Sequence, residues 1–138
     1  MQVFLPCPDL RRSVCCLDPK RLGNQVYREC LTLIRGGWPN HPVAKMWKDY
    51  KHALAVYALC GLAELSRRGY DYPHHCDTFK QFLSPKLVLP PFIGEERLHS
   101  SHRAALLYKN PDWYGQFGWK EKPAVPDAKG RLPYYWPV

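Results

Sequence analysis

The chain has 138 residues, 46% hydrophobic and 23% charged, which excludes a disordered polymer and predicts one domain over 1–138 with a single core. No apolar run approaches the ~18 residues of a membrane span, and MQVFLPCPDLRR lacks the basic-then-apolar order of a signal peptide, so a cytoplasmic protein is expected. Twenty Lys and Arg against twelve Asp and Glu leave +8 at neutral pH, a balance that suits a polyanion, nucleic acid foremost, with a basic surface kept for solubility as the alternative.

Residues 1–17 read as an irregular arm broken by Pro6 and Pro8. Asp18-Pro19 marks a helix start, since Asp caps and Pro fits the first helical position. Leu22, Val26, Cys30, Leu33 and Ile34 then recur at helical spacing until Gly36-Gly37. GGWPNHP is a loop. The segment VAKMWKDYKHALAVYALCGLAELSRRG reads as one long helix with an apolar stripe through Met46, Tyr50, Leu54, Tyr57, Ala58, Gly61, Leu62 and Leu65. Arg67-Arg68-Gly69 closes it with positive charge at the negative end of the dipole. Gly61 in mid-helix predicts a close approach by another helix. YDYPHHCD is a loop that includes His74-His75, and Asp77 is a candidate cap for a short helix reaching Phe82. A third helix is expected from about Glu95 to Tyr108, followed by the turn Asn110-Pro111-Asp112. The tail 120–138 is too rich in proline for a helix or a central strand, and its YYW cluster predicts that it is pinned to the body. Nothing alternates as a strand does. The expected fold is all-α, a bundle of about three main helices with an irregular N-terminal arm and an extended aromatic tail.

Six cysteines, Cys7, Cys15, Cys16, Cys30, Cys60 and Cys76, include no C-x-x-C pair and read as free thiols. His99 and His102 share a helical face. Such a pair can coordinate zinc, but no third ligand is well placed. Phosphate contact or a buried hydrogen bond to backbone is the preferred reading, and Arg103 beside them favours phosphate. Arg21, Gln25 and Arg28, at i, i+4 and i+7, form a polar row suited to phosphates and an extrahelical nucleotide, or else a solvated face. Asn40-His41-Pro42 reads as a helix cap, or else the His41 ring, at a helix start after two glycines, is a candidate to bind phosphate. In WYGQFGW, Trp113 and Tyr114 are candidates to stack on an exposed base, whereas Tyr108 and Phe117 are candidates for the core.

Three stretches together resemble the phage-type pyrimidine-dimer DNA glycosylases with AP-lyase activity, also called endonuclease V of the glycosylase kind. They are RLGNQVYREC with its Tyr-Arg-Glu triplet, the central helix from MWKDYKHALAVY to SRRGYD, and HSSHRAALLYKNPDWYGQFG. The blocks RLG-x-Q, NHP, SHR and the Tyr-x-Trp-Pro ending also resemble a broader set of relatives. The likeness runs from Leu17 to Trp119, while the proline-rich tail and the longer N-terminal arm depart from the dimer-specific enzymes.

The resemblance implies that the chain's α-amine attacks sugar C1′ of an altered nucleotide, releasing the base and forming a Schiff base, with a first-helix carboxylate assisting strand cleavage. An ordinary α-amine titrates at about 7.7–8.0, so a useful fraction is neutral near pH 7. Gln2 disfavours removal of the initiator, which puts the amine on Met1. Counting from the YRE triplet sets the carboxylate on Glu29. Counting from RLG sets that position on Arg28, one helical step or 100° away. The alternative for Glu29 is a surface ion pair. The implied partner is duplex DNA, damaged or modified, bound by a monomer with no cofactor or metal and held at the nucleoid when engaged. A DNA-binding module without chemistry, or an enzyme acting on modified bases, are the alternatives on the same scaffold.

Overall fold

Caps and prolines divide the chain close to where the sequence sets the divisions. In the computed structural model, which describes residues 1–70 and 75–138, the elements are α1 (Leu10–Cys16), α2 (Pro19–Asn24), a π-helical turn (Gln25–Cys30), α3 (Leu31–Ile34), α4 (Pro42–Trp47), α5 (Lys51–Arg67), α6 (Cys76–Lys80), α7 (Glu96–Lys109), α8 (Pro111–Tyr114) and a 3₁₀ turn (Gly115–Phe117). Every regular element among the described residues is helical. His74 of the His74-His75 pair lies outside them.

Helix α1 was not expected. Its start is set by Asp9, whose carboxylate accepts from Arg12 N at 2.8 Å, a cap hidden in the sequence by the prolines on either side of Cys7. Asp18 does precede α2, with Pro19 in the first turn, yet its side chain makes no capping bond. The carboxylate instead accepts from the Tyr114 hydroxyl at 2.5 Å and from Arg21 at 3.3 Å. The helix boundary is therefore as expected, while the acid serves a tertiary contact.

The long helix expected from residue 43 to 69 is interrupted. α4 ends at Trp47, and a turn closed by Tyr50 N to Trp47 O at 2.8 Å leads into α5. The break lets Trp47 of the short segment and Tyr57 of the long one enter the same core, where their rings stack at 6.5 Å. A periodicity count cannot see this turn, because apolar residues on both sides of it face inward. Gly61 meets the expectation of close approach. A Cβ there would lie 2.4 Å from Val26 Cγ2, so α5 crosses the π-helical turn at a separation only glycine permits. At α6, His75 and not Asp77 occupies the cap position, with φ of 66°. Tyr108, expected in the core, is 47% exposed. One turn of α7 carries Leu106 and Leu107 inward and turns the neighbouring ring outward. Phe117 is half-buried and packs on the rim of the core.

The tail, beyond the 3₁₀ turn, lies along α7 without regular structure. Ala124 N donates to Ala104 O at 2.9 Å, and Tyr135 N to Ser101 Oγ at 3.2 Å. Glu121 receives Arg103 and Ser100, and Trp136 meets His41 edge-on at 5.7 Å. These bonds pin the tail as its aromatic content predicts, and they bring Leu132 and Tyr134 to the mouth of the N-terminal region.

Candidate active site

The first residues of the N-terminal arm, 2–5, are buried without regular structure, so their backbone polar groups must be satisfied by side chains. Gln25 Oε1 accepts from Phe4 N at 2.7 Å, and the Tyr57 hydroxyl donates to Phe4 O. His102 Nδ1 accepts from Leu5 N at 2.9 Å, and His99 Nδ1 meets Leu5 O at 2.8 Å. Arg103 donates to Pro6 O at 2.8 Å, and Ser13 Oγ bonds both the N–H and the C=O of Cys7. The histidine protons follow from this pattern. His99 Nε2 accepts from Gly94 N at 2.9 Å, so its proton is on Nδ1 and is donated to Leu5 O. His102 takes the opposite tautomer, since its Nδ1 is an acceptor. Burial, and next the neighbouring His99, lowers His102 to about 3, and burial likewise lowers His99. Both rings are neutral clamps on one peptide unit.

The reading of His99 and His102 as phosphate contacts is thereby corrected. Both are fully buried and spent on Leu5, the backbone-bonding option of the two weighed. Arg103 is also committed, to Pro6 O, Glu121 and Glu96. Gln25 is buried and holds Phe4. The aromatic turn is corrected in the same sense. Tyr114 is fully buried with its hydroxyl on Asp18. Trp113 is half-buried, donates its indole N–H to Cys16 O at 2.8 Å, and lies under the Arg68 guanidinium at 5.6 Å. Trp119 stacks on Tyr114 and Phe117 at 5.6 and 5.3 Å. The rings of 113–119 bind one another and the start of α2, and Tyr114 presents no face to a ligand.

What the clamp accomplishes is placement of the chain's first residue. Met1 and Glu29 together line two adjoining cavities. The larger, about 400 Å³, is bounded by Lys20, Arg21 and Asn24 on α2, by Gln25 on the π-helical turn, by Lys109 on α7, and by Leu132 and Tyr134 of the tail. The smaller, about 280 Å³, is completed by Arg28, Thr32, Trp38 and His41. Burial raises the Glu29 carboxyl, and the positive N-terminal amine, then Arg28, draws it back down. Burial lowers His41, and the same amine lowers it further. The amine is thus within electrostatic reach of one carboxylate and one imidazole. His41 Nδ1 accepts from Val43 N at 3.1 Å, which caps α4 as expected.

The π-helical turn determines which side chains share this face. A single π turn inserts one residue into a helix and is frequent at functional sites. Here it covers Gln25–Cys30, so that Arg21, Gln25 and Glu29 line the larger cavity while Arg28 turns to the smaller one. The expected row of Arg21, Gln25 and Arg28 is corrected accordingly. Trp38 is the residue that sequence reasoning passed over. A lone ring in a Gly-Pro loop carries no periodicity, and its only signal was a large apolar side chain where turns are usually polar.

No curated protein and no solved structure matches the chain. Residues 1–78, which include the arm, the π-helical turn, Glu29 and His41, match the sequence model of the pyrimidine dimer DNA glycosylases. That stretch is more than half of the chain and holds every residue around the amine except those lent by Lys109 and the tail, so the protein belongs to the pyrimidine dimer DNA glycosylase family.

Proposed function

We propose that the protein is a DNA glycosylase with AP-lyase activity on pyrimidine dimers or another altered pyrimidine in duplex DNA. The observation that carries this reading is that Met1 and Glu29 line the same two cavities, the larger of them with Lys20, Arg21 and Lys109, and that the amine acts electrostatically on Glu29. The amine nitrogen of Met1 attacks C1′ of the target nucleotide, and the N-glycosidic bond breaks with its electron pair leaving on the base, which takes up a proton. The sugar opens to a protonated Schiff base with the amine. Loss of a proton from C2′ then drives cleavage of the C3′–O bond, and the phosphate departs with the electrons. Glu29 stabilises the positive charge that develops at the sugar and moves protons during the elimination. Burial raises its carboxyl, and the amine and Arg28 draw it back down, so its proton affinity responds to the charge of the amine it assists. Arg21 and Arg28 stand on either side of it as backbone contacts, and the net charge of +8 supplies long-range attraction.

Borohydride reduction of the intact protein on abasic and UV-irradiated duplexes tests the reading, with mass spectrometry confirming that Met1 is present and unblocked. A covalent adduct on the N-terminal peptide is expected. Tight, salt-sensitive binding of both duplexes without any adduct would identify a DNA-binding module that lacks the chemistry.

A further inference from the structure

Trp38 is an expensive residue in an unusual place. Of the five tryptophans, Trp47 is buried, and Trp113, Trp119 and Trp136 are half-buried, but Trp38 is 64% exposed. Its backbone has φ of 54°, the left-handed region that L-residues with large side chains avoid. Neither the exposed ring nor the strained backbone contributes to the core, and residues held this way concentrate at ligand clamps.

The loop fixes the backbone from which the ring projects. α3 ends in a Schellman motif, with Gly36 N donating to Leu33 O at 3.0 Å and Gly37 N to Thr32 O at 2.9 Å. Gly36 takes φ of 82°, and a Cβ on Gly37 would lie 2.6 Å from Thr32 Cγ2. On the other side, Trp38 O accepts from His41 N at 3.0 Å, and His41 caps α4. Trp38 is therefore fixed by helix ends before and after it. Its ring lines the smaller cavity together with Met1, Glu29, Arg28 and His41. Arg28, exposed, lines the same cavity, and the exposed Arg35 and Lys45 flank the loop in sequence, which favours a polyanion over an apolar protein surface as the partner on this face.

We propose that Trp38 is a positioning residue that stacks on an unstacked nucleobase next to the nucleotide whose C1′ reaches the amine. This rests on the glycosylase reading for the identity of the ligand. The face of an indole makes no hydrogen bond to the base it stacks on and so suits any base, while its N–H can stay in solvent; Trp38 thus selects for a distorted duplex and not for a sequence. It takes the part that Trp113 and Tyr114, turned inward, do not fill.

The test is equilibrium binding of the full chain to an intact duplex and to one carrying an uncleavable tetrahydrofuran abasic site, with 2-aminopurine beside the site as a stacking reporter. Trp38→Ala should weaken abasic-duplex binding about tenfold, or about 1.4 kcal/mol, and intact-duplex binding less than about twofold. Trp38→Phe should recover most of the loss, and the quenching of 2-aminopurine by the wild type should disappear in Trp38→Ala. A wild type with no preference for the abasic duplex, equal losses on both duplexes, or unchanged quenching overturns the proposal. Because binding to tetrahydrofuran needs no Schiff base, loss of preference in Trp38→Ala alongside a wild type that forms no borohydride adduct keeps the stacking role and rejects the lyase. An adduct with no effect of Trp38 does the reverse.

Discussion

Two loops of this protein carry tryptophan next to glycine and proline, and they do opposite things. The turn 113–119 holds four large rings, and these rings stack on one another, donate to Cys16 O and reach Asp18. The loop 36–42 holds one ring, and that ring is exposed, strained and beside the N-terminal amine. The difference lies in what each ring's edge can bond. The Trp113 indole N–H and the Tyr114 hydroxyl find partners on the first segment of the chain, and a satisfied polar tip draws the rest of the ring into the interior. Trp38 projects from a turn whose own backbone is already closed on both sides, so nothing pulls it in. An abundance of aromatic residues in a segment is therefore a poor guide to a ligand surface.

This contrast predicts that changes on the site side remove activity at constant stability, and changes on the aromatic-turn side remove stability first. The largest effect is expected from Glu29→Gln. Strand scission should fall by about a hundredfold or more, with DNA binding and melting temperature retained. Cleavage at the wild-type rate would remove Glu29 from the mechanism.

Acid should act next most strongly, through the clamp. His102 is lowered to about 3 in the folded protein, below the ordinary 6.5 that it takes when unfolded. Between those values the unfolded chain binds the proton that the folded chain refuses, so stability falls as pH falls from about 6.5 toward 3. From pH 7 to 4.5 the loss from His102 alone is about 2–3 kcal/mol. Glu64, held at about 2 chiefly by its bond to Arg67, adds its own loss only below its ordinary value near 4.5, so the upper window isolates the histidines. Denaturant titrations at pH 7, 6, 5 and 4.5 should show this decline in wild type and a much flatter profile in His102→Gln. Parallel profiles would mean that the clamp is not the titrating element.

The smallest effect distinguishes the two loops directly. Tyr114→Phe removes a buried hydroxyl bonded to Asp18 and should cost about 1–2 kcal/mol of stability, leaving the ratio of abasic to intact duplex binding unchanged. A shift in that ratio without a change in melting temperature would place the turn 113–119 at the DNA surface after all.

Much of the architecture was legible because it rests on local rules. The prolines at 19, 42 and 111 open helices and the glycines at 36 and 69 close them, since fixed φ and tolerance of positive φ are properties of one residue. Gly61 announced a helix crossing, since the only benefit of glycine in mid-helix is proximity. That Arg21 and Gln25 share a face was legible too, and the structure adds Glu29 of the YRE triplet to the cavity they line. What the sequence left undecided was direction. The pair His99 and His102 has the spacing of a metal site, a phosphate site or a buried clamp, and only the passage of Leu5 between them selects the last. The π turn that separates Arg28 from Glu29 is likewise invisible to a count by 3.6, because an inserted residue is stabilised by packing against Gly61 of another helix and not by its own propensity.

Taken alone, the sequence determined the helical content, most helix ends, the basic character and the family, all of which depend on residues within a few positions of one another or on total composition. The tertiary structure decided which polar groups face inward. A buried N–H or C=O must be paired wherever its partner lies along the chain, and the arm's demand for such partners drew in His99, His102, Arg103 and Gln25 from two distant helices. That same demand sets the N-terminal amine beside Glu29.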